Sequence, residues 1–170
     1  MNETETSIIE ALQQAIQTEM DGYHFFKMAA QSTGDERGRE VFELLAEEEL
    51  DHRRYLEQQV AHYKESGTFD STIELKRRVD LSPDNPIFSD KLRQNAAKAH
   101  YEMSALSIGM ELELRAQRFY ESLAESSDDP AVSQFFKRLA DWEGTHYEAL
   151  AREQESLRHD YWDSAGFAPF

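Results

Sequence analysis

The chain has no cysteine. That excludes structural disulfides, Cys-ligated zinc, iron–sulfur clusters and a rubredoxin-type iron site, and it fits a reducing compartment. Long apolar runs are also missing. No stretch approaches the roughly 18 residues a membrane span needs. The N-terminus, MNETETSIIEAL, lacks a basic region followed by an apolar segment, so no signal peptide and a cytoplasmic location are expected. Basic residues are few: 18 lysines and arginines stand against 34 acids, for a net charge of −16. Nucleic acid and anionic membrane surfaces are therefore poor partners, and cations are good ones. Most of the acids need do no more than solvate the surface.

Glycine and proline are scarce, at 7 and 4 in 170 residues, which favours long helices in one domain. Punctuation falls in few places. Ser7-x-x-Glu10 reads as a capping box. Gly34 to Gly38 and Ser127 to Pro130 read as tight breaks, and Gly67 opens a longer irregular stretch through Pro83 and Pro86. Four long helices are predicted, over 7–32, 38–65, 99–126 and 130–158, with a short one near 88–97. No alternating strand pattern is present.

The apolar stripes of these helices are interrupted by acids. The first runs Ile8, Leu12, Ile16, Glu19, Tyr23, Phe26, Ala30, at steps of three or four. The second runs Phe42, Leu45, Glu49, His52, Leu56. The third runs Leu106, Met110, Glu113, Gln117, Tyr120, and the fourth Phe136, Leu139, Glu143, His146, Leu150. Glu19 precedes Glu49 by 30 residues, and Glu113 precedes Glu143 by the same 30. Each second glutamate has a histidine three positions on. At an offset of 94 the halves align: Leu12 with Leu106, Phe26 with Tyr120, Leu45 with Leu139, Leu56 with Leu150. The chain reads as two helical hairpins of one design, whose predicted turns lie midway between each glutamate and its partner Glu-x-x-His.

A lone Glu-x-x-His means little. With 22 glutamates and six histidines, about one is expected by accident. The equal spacing and shared apolar register make the doubled pattern specific. Four ionised carboxylates converging in a core would each cost several kcal/mol and repel one another. No lysine or arginine lies on the stripes to offset them. Two divalent cations would. A glutamate and a histidine at i and i+3 share a helix face and can address one ion, and mixed carboxylate–imidazole ligation suits iron or manganese. The candidate metal ligands are therefore Glu19, Glu49, His52, Glu113, Glu143 and His146. Glu47 and Glu48 are expected on the solvated face. His24, His62, His100 and His159, which lack a glutamate three residues back, are expected at the surface or in packing.

The segments Glu19-Met-Asp-Gly-Tyr-His-Phe-Phe, Glu49-Leu-Asp-His52, Glu113-Leu-Arg-Ala-Gln-Arg-Phe-Tyr120 and Glu143-Gly-Thr-His146 resemble the rubrerythrin family of ferritin-like di-iron proteins, over about residues 6 to 155. The resemblance implies an all-α, ferritin-like four-helix bundle over 1–158, with residues 67–98 as a crossover along the bundle. It implies two iron ions, with Glu49 and Glu143 bridging or nearest the bridge and Glu19 and Glu113 as outer ligands; manganese or zinc are the other metals the donors admit. Three departures stand out. Without cysteine there is no rubredoxin domain, so electrons must come from an external donor. The extra glutamate of the peroxidase-active members, one turn after the third-helix ligand, is Ala116 here, matched by Gly22 in the first half. The methionine that ligates haem in bacterioferritin is Leu50, so no haem is expected.

The leading expectation is an oxidoreductase whose di-iron centre reacts with dioxygen or hydrogen peroxide. Tyr120, two turns past Glu113, is the catalytic candidate: a hydrogen bond to a ligand or to bound oxygen, and plain packing, are both open. Iron handling by ferroxidase chemistry and a structural metalloprotein are the alternatives. The last ten residues hold four aromatics with Gly166 and Pro169, so residues 159–170 read as a non-helical tail that packs Trp162 and Phe167 on a bundle groove, in its own subunit or in a homodimer partner.

Overall fold

The computed structural model describes residues 3–75 and 77–164. It contains α1 (Glu3–Ser32), α2 (Glu36–Ser66), a single turn α3 (Asp90–Arg93), a 3₁₀ turn (Ala96–Lys98), α4 (His100–Ser126) and α5 (Pro130–Ser164). Among the described residues there is no strand. The sequence-predicted helices are all present. Two boundaries differ. α1 begins at Glu3, so Ser7 lies inside the helix rather than capping it; no glycine or proline separates the two. α5 continues to Ser164 instead of ending near 158. Leu157 is fully buried, Tyr161 packs on the core, and Arg93 reaches Asp160 at 2.8 Å and Ser156 at 2.7 Å, so the helix is anchored past the predicted end. Trp162 lies on this extension, 43 % exposed, with its ring edge-on to Tyr161. Phe167 and the rest of 165–170 lie outside the described residues.

The breaks act as predicted. Asp35 caps α2 by accepting from the Gly38 N–H at 2.8 Å. Gly38 faces the Phe88 ring so closely that a Cβ would lie 2.6 Å from it. Gly67 ends α2 in the left-handed region, φ 71°, where glycine carries no Cβ penalty.

The hairpins α1–α2 and α4–α5 pack side by side. Phe25 and Phe26 meet α4 at Gly109 while Glu19 meets it at Tyr120, so α1 and α4 are antiparallel. Glu48 meets His146 and Tyr55 stacks on Phe135, so α2 and α5 are antiparallel too. The order is up, down, down, up. The connection from Gly67 to Ala99 must therefore travel the length of the bundle, as a ferritin-like topology requires.

Buried polar side chains staple this crossover, each accepting backbone N–H groups that no regular structure would satisfy. Gln59 accepts from Asp70, Glu48 from Arg78 and Val79, Glu153 from Ile87 and Phe88, and Asp35 from Ser89. The core itself is split. One apolar cluster gathers Phe26, Phe42, Leu45, Phe88, Leu106 and Leu150 toward one end. The other gathers Leu12, Leu56, Tyr120, Phe135, Phe136 and Leu139 toward the other. Between them lies a layer of acids and histidines.

Candidate metal centre

That layer consists of the six residues singled out in the sequence. Glu19, Glu49, His52, Glu113, Glu143 and His146 are all at most 3 % exposed. One comes from α1, two from α2, one from α4 and two from α5, because each interrupts its helix's core stripe at the same height in the bundle. They form two groups, Glu19–Glu49–His52–Glu143 and Glu49–Glu113–Glu143–His146, in each of which one oxygen or nitrogen per residue lies within 4.8 Å of the others. Glu49 and Glu143 belong to both. Glu19 and Glu113 belong to one each.

Both imidazoles turn Nδ1 inward. His52 Nδ1 lies 3.1 Å from Glu19, 3.2 Å from Glu143 and 3.8 Å from Glu49. His146 Nδ1 lies 3.2 Å from Glu49, 3.5 Å from Glu113 and 3.8 Å from Glu143. The two rings are nearly parallel, at 10°, with centroids 5.8 Å apart. Tyr120, fully buried, donates a hydrogen bond to Glu19. The phenol ring also packs in the apolar cluster and stacks on Phe136, so the geometry contains both core packing and contact with a candidate ligand.

Burial and mutual repulsion among the acids set the protonation of the layer. Burial, then the Glu143 charge, pushes the Glu19 carboxyl well above its ordinary range, against the pull of His52. Burial, then Glu49, does the same to Glu113. Burial disfavours charge on His52, but Glu143 and Glu19 outweigh it and hold the imidazole well above its usual value. Glu113, Glu48 and Glu49 do so for His146. Burial would raise Glu143 as well, but the two histidines bring it down to about 2. Burial, with the charge of Glu19, pushes the Tyr120 phenol well up, so it stays a donor.

Glu49 Oε1, Glu113 Oε1, Glu143 Oε1 and His146 Nδ1 are buried without a hydrogen bond. All four belong to the shared cluster. Buried polar atoms without a well-formed hydrogen bond are rare in a packed core, and a cation is a group these oxygens and this nitrogen fit.

The rubrerythrin family model matches residues 10–154. The chain belongs to the rubrerythrin family. No curated protein matches it, and no solved structure does. For a rubrerythrin, the match spans all four long helices and every residue of the buried layer. Leu50, the haem-ligand position of bacterioferritin, is only partly buried, on the flank of α2. Ala116 and Gly22 both line a cleft of about 430 Å³ between α1 and α4, with Glu19, Glu49, Glu113 and Glu143 in its wall. The cleft thus runs beside both of the positions where small residues stand in this rubrerythrin.

Within the buried layer, the expectation for Glu48 fails in this rubrerythrin. Glu48 is not solvated. It is 1 % exposed and accepts from His146 Nε2 at 2.8 Å and from the Val79 N–H at 2.8 Å, with the Arg78 N–H on the same oxygen. Burial would raise its carboxyl, but His146 and these N–H groups lower it. A signal was available. Glu48 lies three residues after Leu45 and four before His52, on the stripe's own spacing, and its repeat mate is the aromatic Trp142. The other histidines, His24, His62, His100 and His159, lie outside the layer as expected.

Proposed function

We propose that this protein is a di-iron oxidoreductase that reduces dioxygen or hydrogen peroxide with electrons from an external donor. The observation that carries the reading is the pair of interlocked ligand groups sharing Glu49 and Glu143, with orphaned donor atoms pointing into them. Glu19 and His52 would complete one ion's set, and Glu113 and His146 the other's. Hard carboxylate oxygens with imidazole nitrogen favour iron or manganese over softer ions. When bound, a pair of redox-active irons supplies electrons at adjacent positions to one small oxidant.

The protein's own residues do the rest. The layer lies between two apolar clusters, which excludes bulk water above and below it. The α1–α4 cleft is the approach for a small oxidant, cleared by Gly22 and Ala116. Tyr120 fixes the outer carboxylate Glu19 and keeps its proton at neutral pH. The test is anaerobic loading with iron(II), removal of excess metal, then addition of peroxide or dioxygen. Two irons per chain and a visible absorbance change on oxidation are expected. A chain that retains no iron, or retains iron that no oxidant changes, contradicts the proposal.

Gly22 gives a separate expectation. A Cβ there would lie 3.1 Å from Glu49 Oε2 and 3.3 Å from its Cγ and Cδ. Glycine inside a helix costs about 0.8–1 kcal/mol relative to alanine. Gly22→Ala should therefore raise the melting temperature of the metal-free protein while displacing Glu49 by a few tenths of an ångström. Iron affinity should fall, and the stability gained on metal loading should shrink. Calorimetry with and without iron reads both effects; an undiminished metal increment would mean that Glu49 is not a ligand at that position.

A further inference from the structure

The two halves of the site are not equivalent, and the break in the repeat falls on one pair of residues. At the offset of 94, Glu48 corresponds to Trp142. Each lies behind the histidine of the other hairpin. Behind His146, Glu48 accepts from Nε2 at 2.8 Å and is itself held by the Arg78 and Val79 N–H groups of the crossover. Arg78 is tied in turn to Asp51 through two contacts, at 2.5 and 3.0 Å. Behind His52, the Trp142 ring stands edge-on at 5.3 Å and 86°. An indole offers no lone pair, and His52 Nε2 is buried without a hydrogen bond, as is Trp142 Nε1.

A hydrogen-bond acceptor behind an imidazole decides which nitrogen keeps its proton, and so which lone pair faces the metal. It also makes that nitrogen more basic. We propose that Glu48 is a positioning residue for one metal position alone. It fixes His146 with its Nδ1 lone pair toward Glu49, Glu113 and Glu143, so that the position beside His146 takes its ion first and the position beside His52 second. The inference rests on reading the six residues as a two-metal centre. It adds that loading is ordered and that the order comes from the crossover's grip on Glu48.

The carboxylate's two oxygens do different work: Oε1 takes the two backbone N–H groups and Oε2 takes His146. A glutamine cannot do both. With its oxygen on the backbone, its NH₂ faces Nε2 and favours the tautomer that turns N–H toward the metal; flipped, its NH₂ meets two N–H donors.

The probe is zinc(II), which binds without redox change. Metal-free protein labelled with ¹⁵N at histidine is titrated by calorimetry and by long-range ¹H–¹⁵N spectra, as wild type, Glu48→Gln and Glu47→Gln. The wild type should bind two ions in steps at least about tenfold apart, with His146 signals moving in the first step and keeping the proton at Nε2. Glu48→Gln should weaken the first step by about 10- to 100-fold and leave the second unchanged. Glu47→Gln should match wild type. Should Glu48→Gln not fold, the order in which His146 and His52 respond in the wild type still decides the matter. Simultaneous or reversed response, or an unaltered first step in folded Glu48→Gln, overturns the inference while leaving the two-metal reading intact. Absence of any zinc binding overturns both.

Discussion

Replacing Glu49 or Glu143 with alanine is expected to strip the protein of most of its iron, while Glu47→Ala leaves the iron content nearly unchanged. Both carboxylates belong to both ligand groups. Removing either takes a donor from each ion and leaves the remaining charges less well balanced. Loss of a residue that only orients a ligand already weakens metal binding by about 10- to 100-fold, so loss of a shared ligand should exceed about 100-fold. Glu19→Ala and Glu113→Ala each touch one group and should leave about one ion per chain. Metal analysis after desalting distinguishes the two classes. Glu47 is the control because it adjoins the site in sequence yet takes no part in either group. Equal iron loss in Glu47→Ala and Glu49→Ala would mean that α2 presents a different face to the bundle.

The second large effect is on stability and its pH dependence. An ion that binds only the folded chain stabilises it by about 2.7 kcal/mol when present at about 100 times its dissociation constant. Two such ions give roughly 5 kcal/mol, and for a chain of this size a melting temperature higher by about 10–20 °C.

The metal-free form should vary with pH in a specific way. Glu19 and Glu113 have folded-state pKa values raised above the unfolded ones, so from about 4.5 upward the unfolded chain loses protons first and stability declines. His52 and His146 are also raised. Their contribution is complete below about 6.5 and is lost as pH climbs through the folded values. Glu143 and Glu48 run the other way. Their folded values are depressed, to about 2 for Glu143, so what they contribute is present above about 4.5 and lost in acid.

Between pH 5 and 8 the raised groups dominate, so the metal-free protein should weaken as pH rises. Metal displaces the same protons and should bind more tightly over that range. The gap between loaded and stripped melting temperatures should therefore widen from pH 5 to pH 8, and loading near pH 7 should release protons into an unbuffered indicator solution. A gap that is constant with pH would mean that metal and protons do not compete for this layer.

Much of the protein was legible in the chain because helices are local objects. Glycine and proline at 34–38, 67 and 130 punctuate the chain where the helices stop. Periods of three and four place Glu19, Glu49, Glu113 and Glu143 on buried faces, and the repeat of two hairpins puts them at one height. The end of α5 was not legible, because Arg93, 67 residues before Asp160, is among the contacts that hold it. The burial of Glu48 depends on distant contacts in the same way. In the run Glu47–Glu48–Glu49 the sequence shows three acids on three adjacent azimuths of one helix. The core stripe accounts for Glu49, and Glu48 shares its spacing through Leu45 and His52; what no local pattern shows is that His146, 98 residues away, takes up that acid.

What the sequence by itself determined is the number of helices, their pairing into hairpins, the six residues of the polar layer and their common level. All of these follow from spacing within single helices and within one repeat. Only the tertiary structure decided which hairpin's acid backs which histidine, that the crossover's N–H groups at 78 and 79 hold Glu48, and that the cleft opens between α1 and α4. Glu48 and His146 are 98 residues apart, and their meeting depends on how far α2 is rotated against α5. That rotation is set by packing summed over both apolar clusters, and no short stretch of sequence encodes it.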